Sequence, residues 1–150
     1  MTTFLIVLCH GNNGCSDHMK YLEDGILEAE RSRNHNTLVL NSKANETSKT
    51  HDGLLECSRR LYQEIIEFCE VNISSKQIHI SFCGHSLGGL FVRCVLPMIV
   101  FNQHEKFTLS FGSVTLVSTP NLGCKRPGGP LRMLSQTYLN GICSVTGKEL

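Results

Sequence analysis

Apolar residues follow two alternating patterns along this chain. Four short runs rich in β-branched and aromatic residues predict strands over residues 4–8, 37–41, 77–83 and 112–119. Three longer segments carry apolar residues at helical spacing and predict helices over residues 16–33, 54–71 and 87–99. Strand and helix therefore alternate, which predicts an α/β fold with a parallel sheet flanked by helices on both faces.

The sequence also predicts the burial of the first strand and the order of the strands in the sheet. The run at residues 4–8 contains no polar position, which is typical of a strand buried on both faces. In the usual order for this pattern, the strand at 37–41 lies at one edge of the sheet. The other three follow it across the sheet in the order 4–8, 77–83 and 112–119.

Individual residues refine the helices and loops. Ser16 or Asp17 is the predicted N-cap of the first helix, and Pro97 is expected to weaken or end the third. The second helix carries one apolar stripe, formed by Leu54, Leu61, Ile65 and Phe68. Loops are predicted over residues 41–53 and 120–130, and a short helix could follow over 131–139.

Composition narrows the class of protein. The 150 residues predict one domain, and a net charge of +1 gives no reason to expect a nucleic-acid partner. Eight cysteines are scattered without a C-x-x-C pair, and the histidines show no metal spacing, so neither a zinc site nor another metal or cofactor is expected.

No basic residue precedes the first apolar run, which reads as a strand rather than a signal peptide. Reduced thiols then favour a cytoplasmic protein.

One pentapeptide matches a motif that positions a nucleophilic serine. Residues 84–88 read Gly-His-Ser-Leu-Gly, which matches G-x-S-x-G between a predicted strand and a predicted helix. A strand that turns at once into a helix brings the positions two before and two after the corner together, so both need small residues. The corner residue Ser86 would then expose its hydroxyl above the sheet as a nucleophile. The alternative is an ordinary Gly-Ser turn, or an anion site at the helix start.

A second segment, His-Gly-Asn-Asn-Gly at residues 10–14, follows the first strand. Acyl transfer needs at least two N–H donors aimed at the oxyanion that develops in the transition state. Leu87, directly after the serine, would supply one donor, and Asn12 is placed to supply the other. The alternative for this segment is a simple Gly/Asn turn.

These residues resemble the α/β-hydrolase superfamily and, more narrowly, the serine esterases of the yeast Rog1-type lipase family. The similar stretches are FLIVLCHGNNG, DHMKYL, NSKANETSKTHDG, ISFCGHSLGGLFVR and VTLVSTPNLGCKRP, and they run over nearly the whole chain. The resemblance implies Ser86 as nucleophile, Asn12 and Leu87 as oxyanion donors, and a lipid or other acyl ester as substrate. HGNNG departs from the bulkier, more apolar residues common in this family after His-Gly.

The activating groups of such a serine are missing from the sequence. These enzymes order their triad as Ser, then Asp or Glu, then His. After Ser86 the acids are Glu105 and Glu149, and the one histidine, His104, precedes both. His104 also follows a whole helix, which carries it too far from Ser86 for a catalytic role. We therefore expect residues 1–150 to be a partial hydrolase domain that lacks the C-terminal strands and is inactive alone.

Two functions stay open at this point. The first is a serine esterase or lipase, and the second is a non-catalytic interaction or acyl-binding domain that keeps the scaffold. Peripheral contact with an anionic membrane through Lys125, Arg126 and Arg132 is conceivable, although three scattered cations more often form a solvated loop. The sequence leaves the oligomeric state open.

Overall fold

A computed structural model describes residues 2–33 and 36–123 of the chain. Its strands are β1 (Thr2–Cys9), β2 (Thr37–Asn41), β3 (Gln77–His85) and β4 (Thr108–Val117). Its helices are α1 (Lys20–Arg33), α2 (Leu54–Asn72) and α3 (Leu87–Phe101), with short 3-10 turns at Ser16–Met19 and Thr47–His51. All seven predicted strands and helices are therefore present.

The four strands form one parallel sheet in the order β2-β1-β3-β4, which confirms the predicted order and the α/β class. Thr2 lies opposite Gln77 and Cys9 lies opposite Gly84, so β1 and β3 are paired along their whole common length. Because all strands run the same way, their carboxyl ends share one edge of the sheet. Ligands bind at this edge in open parallel sheets.

The main core lies between the sheet and the pair α2 and α3. Leu5, Ile80, Leu61, Ile65 and Val92 are completely buried there. The predicted stripe of α2 is confirmed, since Leu61 and Ile65 form its centre while Leu54 and Phe68 pack at the margin. Burial of each large aliphatic side chain contributes about 1.5–3 kcal/mol.

The opposite face of the sheet is less covered. The first helix α1 packs there against β2, and its Glu30 accepts a hydrogen bond of 2.8 Å from the Thr37 hydroxyl. Phe4 keeps 41% of its surface exposed, and Ile6 is half-buried. The expectation that β1 is buried on both faces was therefore wrong, because one helix does not cover the whole of this face within the described residues.

The start of the first helix also differs from expectation. The 3-10 turn before α1 has Cys15, not Ser16 or Asp17, in the N-cap position, and no side chain caps it. The Ser16 hydroxyl is engaged elsewhere, because it donates a hydrogen bond of 2.7 Å to the Glu46 carboxylate.

The third helix continues through Pro97 to Phe101, two residues beyond its predicted range, so the proline does not end it. Proline removes the N–H that would donate to the carbonyl four residues earlier, which is that of Arg93. Both Pro97 and Arg93 are exposed, so water can hydrate that carbonyl and the helix survives.

The fourth strand begins at Thr108, four residues earlier than predicted, and ends at Val117. Its pairing with β3 is irregular between Ile80 and Phe82, which marks a β-bulge. The Ser81 hydroxyl accepts a hydrogen bond of 3.1 Å from the N–H of Ser113 at this bulge. The bulge interrupts the alternation of side chains, which explains why the sequence pattern showed only the second half of the strand.

Some expectations fall on residues outside the described ranges, namely the short helix at 131–139 and the cations Lys125, Arg126 and Arg132. Among the helices that are described, none has both the length and the apolar character that a bilayer span requires. The six cysteines within residues 2–33 and 36–123 are free thiols.

Candidate active site at the carboxyl edge of the sheet

Ser86 occupies the corner between β3 and α3, in the sharp turn predicted for it. Its φ of 52° and ψ of −124° lie in a region that residues with side chains rarely adopt. Such a conformation costs about 1–3 kcal/mol and persists only when the surroundings enforce it. Here the Ser86 N–H donates to the Val117 carbonyl at 2.8 Å, and the Ser86 carbonyl accepts from the Gly89 N–H at 3.1 Å.

Two glycines make this corner sterically possible. A Cβ on Gly84 would lie 2.7 Å from the Gly89 nitrogen and 3.0 Å from the Gly88 carbonyl carbon, so strand and helix meet at this position as predicted. Gly88 meets a second neighbour, because a Cβ there would collide with the backbone oxygens of Cys9 and His10. The start of α3 therefore packs directly against the end of β1.

The loop after β1 reaches the corner from the other side. A Cβ on Gly11 would lie only 2.9 Å from the Ser86 Cβ and 3.2 Å from the His85 carbonyl oxygen. Asn12 follows Gly11 and is exposed, and Asn13 has a positive φ of 50°. The structure thus brings the Gly11–Asn12 peptide beside Ser86, where the sequence places a second N–H donor.

Hydrogen bonds orient the peptide between Gly11 and Asn12. The Gly11 carbonyl accepts from the Gly14 N–H at 3.0 Å and lies 3.1 Å from His10 Nδ1. Since a carbonyl oxygen only accepts, Nδ1 carries the proton of the buried His10 ring. In a trans peptide the N–H points opposite to the C=O. Holding the Gly11 carbonyl therefore directs the Asn12 N–H away from His10 and Gly14.

Leu87 is the first residue of α3 and is buried. The N–H groups in the first turn of a helix have no partner inside the helix, and the helix dipole makes this end positive. An anion beside Ser86 would therefore face the start of α3. Leu87 directly follows Ser86, and Asn12 directly follows Gly11, which packs on Ser86; their role as oxyanion donors stays a prediction.

The segment after β4 completes this edge. Ser118 has a positive φ of 51°, and the Thr119 side chain fills the space beside Gly89. Gly89 thus makes room for this segment, in addition to its close approach to Gly84 of β3. Arg93 on α3 donates a hydrogen bond of 3.1 Å to the Asn121 side chain, which ties the segment to the helix.

Backbone strain is concentrated at this edge. Within residues 2–33 and 36–123, four residues other than glycine have positive φ, namely Asn13, Thr47, Ser86 and Ser118. Each lies in the segment that leaves the carboxyl end of a different strand. A strained backbone conformation persists only where the surrounding structure enforces it. Residues with such conformations cluster at functional sites.

Comparison with known proteins agrees with this geometry. A family profile described as "Putative serine esterase (DUF676)" matches residues 2–150. The chain belongs to this esterase family. It is also 32% identical over 150 residues to "Putative lipase ROG1" of Saccharomyces cerevisiae, in an alignment that covers 97% of this chain. The chain spans about a fifth of that relative, since the alignment covers 21% of its length. The resemblance to a Rog1-type serine esterase is confirmed.

The environment of the Ser86 hydroxyl decides whether a general base is at hand. Within residues 2–33 and 36–123, no side chain forms a hydrogen bond with the Ser86 hydroxyl. Two histidines lie in the segments that meet at this corner, and neither hydrogen-bonds to the Ser86 hydroxyl. The His10 ring faces the Gly11 carbonyl, and His85 is exposed. The described part of the chain thus assigns no general base.

His104 lies at the wrong edge of the sheet for that role. It precedes Thr108, which pairs with Gln77 at the amino end of β3, whereas Ser86 follows the carboxyl end of that strand. Its ring stacks on Phe107 with ring centroids 4.1 Å apart, and its Nε2 lies 3.5 Å from the Glu70 carboxylate. This placement agrees with the sequence argument against His104.

Cysteine thiols near the corner are poor competitors for the role of nucleophile. Burial raises the pKa of the Cys83 thiol, which precedes the corner by three residues. Burial also raises the pKa of Cys9, at the end of β1, far above its ordinary value. The thiolate is the reactive form of cysteine, so neither side chain is activated at neutral pH. No cluster of metal-ligating side chains occurs in the ranges that the structure describes.

Sequence reasoning missed one part of this site. The segment 46–50 between β2 and α2 contacts the loop after β1, although it reads as an ordinary polar loop. Thr50 in this segment is completely buried. Its partners in the loop after β1, Asn12 and Asn13, are more than thirty residues away along the chain, so no local pattern could reveal the contact.

Proposed function

We propose that Ser86 is the nucleophile of a serine carboxylic-ester hydrolase, with the N–H groups of Asn12 and Leu87 as oxyanion donors. The observation that carries this proposal is the strained Ser86 corner with the Gly11–Asn12 peptide packed against it. Membership of the serine esterase family supports the same assignment. An ordinary Gly-Ser turn would need neither the strain nor the close approach of a second loop.

In the reaction, the Ser86 oxygen attacks the acyl carbonyl carbon, and the carbonyl oxygen becomes negative. The two N–H groups would stabilise this charge, and loss of one such donor typically lowers the rate by about 10²–10³. The bond to the alcohol then breaks and leaves an acyl-serine, which water hydrolyses to regenerate the hydroxyl. A general base must take the serine proton, and we do not assign it among the described residues.

The proposed substrate is an acyl ester with an apolar acyl chain, which includes lipid esters. Val117, whose carbonyl binds the Ser86 N–H, exposes 44% of its surface, and Leu122 on the following segment is fully exposed. These apolar side chains could contact an acyl chain next to the serine. The name of the yeast relative, a lipase, points to the same class. We also propose a cytoplasmic location, because free thiols are usual in reducing compartments.

Site selectivity of a phosphonylating reagent tests the proposal. An alkyl fluorophosphonate forms an O–P bond with a serine oxygen and releases fluoride, while the serine proton passes to solvent. The exposed Ser110 hydroxyl lies 3.1 Å from His79 Nδ1, whereas the Ser86 hydroxyl has no such side-chain partner among the described residues. Labelling of Ser86 in preference to Ser110 would therefore point to the oxyanion donors, even where the rate is slow. We expect peptide mapping to find the label on Ser86. The Ser86→Ala variant should not be labelled at this position.

Ser118→Ala is the matched control, because Ser118 lies on the same edge and also has a positive φ, of 51°. We expect this variant to be labelled on Ser86 like the original chain. Label spread evenly over exposed serines, or concentrated on Ser118, would overturn the assignment of Ser86.

The second candidate is a non-catalytic domain that binds an acyl group or a partner at the same edge. The observation in its favour is that no described side chain hydrogen-bonds to the Ser86 hydroxyl. A binding domain predicts reversible retention of a fatty-acyl ester by both the original chain and Ser86→Ala. An esterase predicts a covalent acyl adduct that Ser86→Ala cannot form.

A further inference from the structure

A short segment between β2 and α2 holds the loop that faces Ser86. We call residues 46–50 the clamp and residues 11–16 the oxyanion loop. The two are joined at three points along their length, by the backbone of Thr47, by the side chain of Glu46 and by the side chain of Thr50.

Thr50 makes the contact closest to the proposed oxyanion donor. Its buried hydroxyl accepts a hydrogen bond of 3.1 Å from the Asn13 N–H and donates one of 2.8 Å to the Thr47 carbonyl. The same hydroxyl lies 3.3 Å from the side-chain oxygen of Asn12. Thr50 therefore contacts both Asn12 and Asn13, the two residues that the next peptide bond joins.

This contact explains the strained conformation of Asn13. The φ of 50° at Asn13 is unfavourable for a residue with a side chain, although Asn tolerates it better than most. The hydrogen bond to Thr50 fixes the direction of the Asn13 N–H. Without it, the peptide between Asn12 and Asn13 could rotate towards a relaxed conformation. The Asn12 N–H belongs to the preceding peptide, which the Gly11 carbonyl orients, so it would be displaced through the accompanying shift of the Asn12 backbone.

The remaining contacts hold the second half of the oxyanion loop, at Gly14 and Ser16. Glu46 Oε1 accepts from the N–H of Ser16 at 2.9 Å and from its hydroxyl at 2.7 Å, and these bonds lower the pKa of Glu46. The Thr47 N–H donates to the Gly14 carbonyl at 2.8 Å. Together with the Thr50 contacts at Asn12 and Asn13, these bonds hold the oxyanion loop from Asn12 to Ser16.

We propose that Thr50 is a positioning residue that holds the Asn12 N–H towards the oxyanion of the Ser86 reaction. The role rests on the proposed function, because it needs Asn12 to act as a donor there. It predicts that loss of the Thr50 hydroxyl slows the chemical step at Ser86 and leaves reagent binding unchanged.

Three variants of the 150-residue chain test this role. Thr50→Val removes the hydroxyl and keeps the volume, Thr50→Ser keeps the hydroxyl, and Ser48→Ala removes an exposed hydroxyl from the same turn. Each is treated with the fluorophosphonate over a range of concentrations, which separates the limiting rate of Ser86 phosphonylation from the half-saturating concentration. Amide hydrogen exchange over residues 11–16 is measured on the same samples.

We expect Thr50→Val to lower the limiting rate about tenfold, a partial loss compared with removal of a whole donor. The half-saturating concentration should not change, Thr50→Ser should restore the rate, and Ser48→Ala should have no effect. Exchange at Asn13 should accelerate in Thr50→Val alone. An unchanged limiting rate in Thr50→Val, or equal losses in Thr50→Val and Thr50→Ser, would overturn the positioning role.

If Ser86 of the original chain is not labelled at all, the proposed function fails and the positioning role falls with it. The exchange measurement then still reports on the clamp itself. Faster amide exchange at Asn13 in Thr50→Val would show that the clamp does hold the loop. The structural part of the inference would then stand, and only the proposed function would have failed.

Discussion

Gly11 and Ser86 lie so close together that a Cβ on Gly11 would be 2.9 Å from the Cβ of Ser86. Real Cβ contacts are not this short, so the loop after β1 can pack on the strand-to-helix corner only because residue 11 has no side chain. The approach joins the ends of two neighbouring strands, β1 and β3, at the carboxyl edge of the sheet.

Gly11→Ala tests whether this approach matters for the site. The added methyl group must push the loop and the corner apart, which should lower the free energy of unfolding by about 1–3 kcal/mol, as overpacking does. Phosphonylation of Ser86 should slow at the same time, since the Asn12 N–H moves with the loop. Urea unfolding and the labelling rate measure the two effects.

Gly25→Ala is the matched control for that substitution. Gly25 lies within α1, and a Cβ there meets no atom within 4 Å. Alanine favours a helix over glycine by about 1 kcal/mol, so this variant should be slightly more stable and be labelled normally. A Gly11→Ala variant that behaves like Gly25→Ala would contradict the packing described here.

Asn12 offers a test that separates its backbone from its side chain. Asn12→Ala keeps the N–H, so Ser86 phosphonylation should change by no more than about threefold if the backbone is the donor. Asn12→Pro removes the N–H and should slow the reaction about 10²–10³-fold. Circular dichroism must show that both variants fold. Equal rates for the two variants would exclude the Asn12 N–H as a donor.

Much of this site could be predicted because its signals are local. The Ser86 corner follows from five consecutive residues between an apolar run and an apolar helix, and the order of the strands follows from their alternation with helices. The contact between Thr50 and Asn13 could not be predicted, because polar residues 37 positions apart carry no shared periodicity. Whether Pro97 ends α3 could not be decided from the sequence, because this depends on the exposure of Arg93, which only the packed structure decides.

Buried cysteines predict a loss of stability in alkali. Burial raises the pKa of Cys57 to about 11 and that of Cys69 to about 12, from 9.0 in the unfolded chain. Between pH 9 and these values the unfolded chain loses a proton that the folded chain keeps, so the free energy of unfolding falls as the pH rises. Cys69 alone would contribute up to about 1.4 kcal/mol per pH unit in this window.

Cys69→Ala measures that contribution. The variant is less stable at neutral pH because it leaves a small cavity, but its unfolding free energy should decline less steeply between pH 9 and pH 10.5. Urea unfolding at several pH values gives both slopes. Parallel declines in the original chain and the variant would contradict a protonated, buried Cys69.

Gly88→Ala should damage the fold more than any of these changes. The backbone oxygens of Cys9 and His10 stand where the new Cβ would lie, and backbone atoms at the end of a central strand cannot move aside cheaply. We expect the free energy of unfolding to fall by at least about 3 kcal/mol, at the upper end of overpacking. Thermal unfolding gives the result, and a melting temperature close to that of the original chain would show that α3 does not pack directly on β1.

A crystal structure of the phosphonylated chain tests the central claim most directly. If Ser86 is the nucleophile and the carboxyl edge holds its oxyanion donors, the phosphorus will be bonded to the Ser86 oxygen. The phosphoryl oxygen will then lie about 2.7–3.1 Å from the backbone nitrogens of both Asn12 and Leu87. An adduct on another residue, or a phosphoryl oxygen on Ser86 that points to solvent away from both nitrogens, would contradict the account.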